Sequence, residues 1–310
     1  KLRESIPAAI SDIGCEREIN EDRYAVIDSP TGRAWIVCDG MGGSLGGDLA
    51  AQLAIDAIRR GLNSRDFESP EEAIKSAIDE ANRVIVLRRQ NPAFSNMGTT
   101  TVAAIIEGEE VVIANAGDSR AYLIRGNTIE QLTIDHTYVQ DLVDRGTITP
   151  EEAMSHPQAH VLTRCVGAEP RLNLDLSHYW IWDLPAGEQE DKLVLCSDGL
   201  YSLVGLEEIA EAVSSMSPQE SCIKLVDLAK ARGGYDNITL AVLPLGGQLR
   251  EESPSGTRRA LSLSGPRKRV ATTGVRAPKL SMSRQIVLMF VLLVLGALAT
   301  ALVLVMKLIG

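Results

Sequence analysis

Residues 35–62, WIVCDGMGGSLGGDLAAQLAIDAIRRGL, run a β-type apolar segment into Asp39, then through five glycines into a helical pattern. Asp-Gly is a frequent hairpin dipeptide. Here, however, Leu49, Leu53, Ala54, Ala57 and Ile58 recur at helical spacing, so the turn joins a strand to a helix. Glycines at such a junction allow positive φ or a close approach of main chain to a ligand, and a carboxylate at the strand end can point at that ligand. An ordinary turn would need nothing more, and for this segment alone both readings stand.

Other short β-rich runs lie at 100–106, 111–116, 121–124, 193–196 and 238–243. They alternate with segments of helical period at 71–89, 137–145, 205–213 and 219–232. Three helix starts share one device, a capping hydroxyl, a first-turn proline and an acidic residue at the third helical position: Ser69-Pro70-Glu71-Glu72, Thr149-Pro150-Glu151-Glu152 and Ser217-Pro218-Gln219-Glu220. With a hairpin expected over Val111–Ile124, the pattern predicts antiparallel sheet flanked by helices, an α+β layered domain.

Charge divides the chain. Residues 1–249 hold 21 basic and 39 acidic side chains, a net charge of −18, whereas residues 250–284 carry a net +7. The acidic body argues against nucleic acid as a partner, because a phosphate backbone calls for a basic face. Residues 247–284, rich in Ser, Pro, Gly and Arg, read as a disordered basic linker. Beyond it, residues 286–306 are 21 in a row without a charge, long enough to span a bilayer as a helix. The basic residues before this run put its N-terminal side in the cytoplasm by the positive-inside rule. The expected organisation is a catalytic domain over 1–246, the linker over 247–284 and a transmembrane helix over 285–307. A last strand ending near Leu243 suggests that deleting 249–310 leaves a soluble, active domain. Five widely spaced cysteines without a CxxC pair suggest neither a disulfide framework nor a zinc site, and fit a reducing compartment. No signal peptide is expected at the start, which opens at Lys1 rather than Met.

Four aspartates occupy strand boundaries: Asp39, Asp118, Asp198 and Asp236. Any one of them is explained as a turn former. Four together, two followed directly by glycine, are better explained as ligands converging at one sheet edge, where carboxylate, carbonyl and water oxygens select Mg²⁺ or Mn²⁺ over Zn²⁺. Arg17, Glu21 and Asp22 precede a further β-type segment. An arginine among metal carboxylates suits a phosphate, which guanidinium binds in bidentate fashion.

In order, SDIGxxRxxNED, VCDGMGG, MGTT, GDSRAY, LTIDH, HPQAHVLTRCVG, LCSDGL and YDNIT span about residues 5–245 and together resemble the bacterial metal-dependent Ser/Thr phosphatases of type 2C. The resemblance implies an αββα sandwich of two antiparallel sheets with helices outside. It also implies two core Mn²⁺ or Mg²⁺ ions and a weaker third. By position, Asp39 is similar to the ligand bridging the core ions, Gly40 to the residue lending its carbonyl, and Asp198 and Asp236 to the ligands of the second ion. Glu21 and Asp22 match the acidic pair at the first ion, Arg17 the phosphate clamp, and Asp118 the residue that holds the third ion with Asp198. Residues 145–175 fall where the family carries a mobile substrate flap.

The implied reaction is hydrolysis of phosphoserine and phosphothreonine by a cation-activated water, without a nucleophilic Ser or Cys. The implied partners are phosphorylated proteins, among them a membrane Ser/Thr kinase and its targets, at the lipid surface. Met41 stands where some members carry a histidine proposed as the leaving-group acid, which leaves His136, His156 and His160 as candidates for that role. A phosphoprotein-binding pseudophosphatase would require a missing ligand, and none is missing. A two-metal nuclease would require a basic surround.

Overall fold

A computed structural model of the protein describes residues 6–43 and 46–252. Two antiparallel sheets face each other. The larger runs β12-β9-β6-β5-β3-β2 in spatial order, from β2 (Asp22–Ser29), β3 (Gly32–Met41), β5 (Thr101–Glu107), β6 (Glu110–Ala116), β9 (Asp175–Trp182) and β12 (Gln248–Arg250), with β4 (Gly98–Thr99) paired to the end of β3. The smaller runs β1-β11-β10-β7-β8, from β1 (Ala8–Asp12), β7 (Arg120–Arg125), β8 (Thr128–Gln131), β10 (Lys192–Cys196) and β11 (Ile238–Pro244).

Side-chain alternation explains the layering. On β3, Ala34, Ile36 and Cys38 pack with helices α1 (Gly47–Leu62) and α2 (Pro70–Arg88), while Trp35 and Val37 point into the core between the sheets. On β10, Leu193 and Leu195 enter that same inter-sheet core, and Val194 and Cys196 face α6 (Leu206–Ser215) and α7 (Pro218–Ala231). Strands buried on both faces read as continuous apolar runs, which is why those six segments stand out in the sequence. The result is helix, sheet, sheet, helix. All three capping hydroxyls accept the expected backbone N–H, but a full reciprocal box forms only at Thr149 and Ser217. At Ser69 the Glu72 carboxylate takes the N–H of Glu68 instead.

Two expectations need correction. Val111–Ile124 is not a hairpin: β6 pairs with β5 and β9, whereas β7 pairs with β10 and β8, so the chain crosses between sheets at Gly117-Asp118-Ser119. The fold also runs past residue 246. Gln248–Arg250 pairs with Trp180–Trp182, Leu249 is buried, and the Leu249 N–H donates to the buried Asp191 carboxylate at 2.7 Å. The linker therefore cannot begin at 247, and a cut after 248 removes part of the sheet. The apolar run 286–306 lies outside the described residues. Among the described residues no helix is long and apolar enough to cross a membrane.

Candidate metal centre

Strand pairing brings the first carboxylates together. Asp22 opens β2 directly opposite Asp39 on β3, which continues to Met41 rather than ending at the aspartate. Asp39 is fixed through its backbone by the MGTT segment: its N–H donates to Thr100 Oγ1 at 3.0 Å, and its carbonyl accepts from Thr100 N at 2.8 Å and Thr99 Oγ1 at 2.9 Å. Thr100 Oγ1 in turn lies 2.6 Å from Ser119 Oγ, which ties Asp39 to the crossover that carries Asp118. The smaller sheet supplies the rest. Asp198 begins the short helix α5 (Asp198–Tyr201) after β10, and Asp236 precedes β11. Asp22, wholly buried, accepts from Ser197 Oγ at 2.7 Å across the two sheets.

Glycine makes room for two more oxygens. A β-carbon on Gly40 would meet the Gly47 carbonyl oxygen at 2.1 Å. One on Gly47, at the start of α1, would lie 2.4 Å from Glu21 Oε1 and 2.7 Å from the Gly40 carbonyl oxygen. The Glu21 carboxylate and the Gly40 carbonyl thus approach one point, which a side chain at Gly47 would fill. Arg17 stands beside them, half-exposed, with Nη2 2.8 Å from Asp236 Oδ2 and Nη1 3.5 Å from Glu21 Oε2. Arg17, Glu21, Asp22, Asp39, Gly40, Asp118, Asp198 and Asp236 therefore gather in one cluster.

The electrostatics call for cations. Burial, then the charges of Asp22, Asp198, Asp118 and Asp236, push the Asp39 carboxyl well above its ordinary range. Burial raises Asp22 to about 7, opposed by the Ser197 and Thr239 hydroxyls and reinforced by Asp198 and Asp236. Asp118 rises to about 8 through burial and then Asp198. Asp236 is raised by burial and Asp198, and Glu21 by burial, against the lowering effect of Arg17 in both cases. Carboxylates that repel one another in a poorly solvated cleft are stabilised by a shared divalent ion, and an all-oxygen donor set fits Mn²⁺ or Mg²⁺. Among the described residues no three such side chains are already closed around a single point.

The three histidines separate. His136 is buried: its Nδ1 accepts the Gly117 N–H at 3.0 Å and its Nε2 lies 3.1 Å from Asp175, so both nitrogens serve the scaffold. His156 Nδ1 accepts the Gln158 N–H within its own loop. His160, exposed, sits with Nδ1 3.5 Å from Asp198 Oδ2, and that carboxylate raises its pKa. The segment expected to form the flap, 145–175, follows α3 (Tyr138–Asp144) and contains α4 (Pro150–Met154) and the loop that brings His160 to the cluster. Sequence reasoning gave no role to Thr99, Thr100, Ser197, Gly47 or Asn237. Each nonetheless lies in or beside a motif quoted above: Thr99 and Thr100 in MGTT, Ser197 in LCSDGL, Asn237 in YDNIT, and Gly47 in the glycine pair before Asp48.

Carboxylates drawn from two sheets, with Arg17 at their edge, suit a cation-assisted phosphatase. The protein phosphatase 2C model matches residues 28–142. The serine/threonine phosphatase stp of Listeria welshimeri is 38% identical over 240 residues, covering 75% of this chain and 93% of the relative. Among solved structures, serine/threonine phosphatase Stp1 from Staphylococcus aureus superposes with a TM-score of 0.70 at 32% identity, over 77% of this chain and 94% of the other. The catalytic domain of phosphatase PstP in complex with two manganese ions gives 0.65 at 33%, over 77% and 97%. The chain belongs to the protein phosphatase 2C family.

Proposed function

We propose that this serine/threonine protein phosphatase cleaves the phosphoester by direct attack of water at the carboxylate cluster, with Arg17 receiving the phosphoryl group. The observation that carries the reading is the convergence of Asp22, Asp39, Asp118, Asp198 and Asp236 from two sheets, beside a single half-exposed arginine. Asp39 would serve both core ions and the Gly40 carbonyl one of them, with Glu21 and Asp22 at the first, Asp198 and Asp236 at the second, and Asp118 with Asp198 at a weaker third. Bound there, Mn²⁺ or Mg²⁺ supplies Lewis acidity that makes water a better nucleophile and offsets charge on the phosphoryl oxygens. The chain's own residues do the remainder. Arg17 keeps free N–H donors beyond those facing Asp236 and Glu21 and can bind a phosphoryl oxygen. The Thr99 and Thr100 bonds hold Asp39 in register, and burial limits competing water.

The substrates are phosphorylated proteins, and a membrane Ser/Thr kinase with its targets is the partner class proposed. The uncharged run 286–306 behind a basic segment supports a single-pass anchor with the catalytic unit in the cytoplasm. The folded unit is proposed to end after Glu252, whose carbonyl accepts the Trp182 indole N–H. Turnover of a phosphothreonine peptide, set against a DNA substrate, with Mn²⁺ and then with chelator, tests the reading. Metal-dependent, reversible peptide turnover is expected, and peptide binding without turnover at any metal concentration would contradict it.

A further inference from the structure

We infer that Asn237 is a positioning residue for phosphate recognition: its side-chain amide sets the loop that carries Arg17 and Glu21. The inference rests on Arg17 being the phosphate ligand.

Residues 13–21 connect β1 to β2 without regular secondary structure, yet they hold Arg17 and Glu21 at the cluster. One buried side chain fastens both limbs. Asn237 Nδ2 donates to the Ile13 carbonyl at 2.9 Å and to the Ile19 carbonyl at 3.2 Å, and Asn237 Oδ1 accepts the Glu21 N–H at 2.8 Å. The two carbonyls lie on either side of Arg17. An amide is the one neutral side chain of this size with two N–H donors and an acceptor, so an aspartate or leucine of the same shape could not make this set.

A second staple closes the base of the loop. Asn20 Nδ2 donates to Ser11 Oγ at 2.8 Å, and Thr239 Oγ1 to the same oxygen at 2.7 Å. The Cys15 N–H donates to the Gly234 carbonyl at 2.7 Å. Gly14, at φ 81°, leaves no room for a β-carbon against the Asp236 carbonyl, 2.2 Å away. Three of these partners, Gly234, Asn237 and Thr239, lie in 234–239, the segment that also carries Asp236, the carboxylate facing Arg17. The loop's ordering is thus completed on folding rather than on substrate binding, which is how preorganisation raises affinity.

The test uses the full chain with Asn237→Ala, Arg17→Ala and the double variant. Its readouts are KM for a phosphothreonine peptide, inhibition by inorganic phosphate, Mn²⁺ affinity by calorimetry and thermal unfolding. Arg17→Ala should weaken both phosphate measures by about tenfold or more, the loss of a charged hydrogen bond. Asn237→Ala should weaken them by a similar factor with a smaller loss of Mn²⁺ affinity, about threefold at most, through the loosened Glu21, and in the Arg17→Ala background it should add less than about twofold to the phosphate measures. Multiplying effects, or lost Mn²⁺ affinity with unchanged KM, would overturn the inference and make Asn237 an independent or Asp236-directed residue. Arg17→Ala without any phosphate effect would instead overturn the reading of Arg17, and the inference with it. Should Asn237→Ala fail to fold, Ser11→Ala cuts the other staple, and the same dependence on Arg17 is required of it.

Discussion

At the residue scale the site is a problem of crowded negative charge, and its solution differs from one carboxylate to the next. Asp39 faces Asp22, Asp198, Asp118 and Asp236 at once, so its side chain senses the whole cluster, whereas Asp118 stands at the crossover and senses chiefly Asp198. Asp39→Asn should therefore lower turnover by roughly 10³-fold or more, a loss of several kcal/mol of electrostatic stabilisation. Asp118→Asn should cost less and recover in part at high Mn²⁺. Equal losses without recovery, measured over a Mn²⁺ titration, would contradict the assignment. The aspartates were legible in the sequence because Asp-Gly at the end of an apolar run is conspicuous. The roles of Asn237, Thr100 and Ser197 were not, although each lies in a motif, because what a neutral residue does in holding a backbone or a neighbour shows only once the strands are paired.

Elements explain where the sequence reading succeeded and where it stopped. Strands β3, β5, β6, β7, β10 and β11 bury both faces and could be seen as apolar runs. Strand β9, DLSHYWIW, hides because Tyr179 enters the core while His178 turns to Glu71 of α2, mixing polar and aromatic residues. The Gly117-Asp118-Ser119 step looks like a hairpin turn since glycine and aspartate favour both; only the pairing of β6 and β7 with different partners reveals the crossover. Strand β12 is three residues long and follows a glycine pair, too short for any periodicity. Its contribution can be measured. A chain ending at Gly246 should be about 2–5 kcal/mol less stable than one ending at Glu252, since it loses buried Leu249 and a donor to buried Asp191. For a domain of this size that is a fall of about 2–4 °C in melting temperature per kcal/mol. Equal melting temperatures would show that β12 adds nothing.

For the molecule as a whole, the cluster links stability to pH and to metal. Asp22 and Asp118 are raised from 3.8 to about 7 and about 8, so the folded, metal-free protein keeps protons that the unfolded chain gives up. Their contribution is present at low pH and is lost as pH rises from about 4 through about 8. Cations should replace those protons. The stabilisation gained on adding Mn²⁺ should therefore grow across that window, as urea midpoints with chelator and with Mn²⁺ would report, and a pH-independent gain would contradict it. The C-terminal run makes a separate prediction: the full chain should require detergent for extraction and the chain ending at Glu252 should not. Solubility of the full chain without detergent would remove the proposed anchor.

The central claim is that carboxylates from both sheets act as a single cation site for phosphoester hydrolysis, and the initial rate on a phosphothreonine peptide across a Mn²⁺ titration tests it most directly. Wild-type protein freed of metal should be inactive, regain turnover on titration and lose it again on chelation, while Asp39→Asn, folded to the same melting temperature, stays inactive throughout. Turnover by the chelated wild type, or wild-type rates from Asp39→Asn at any Mn²⁺ concentration, would contradict the account.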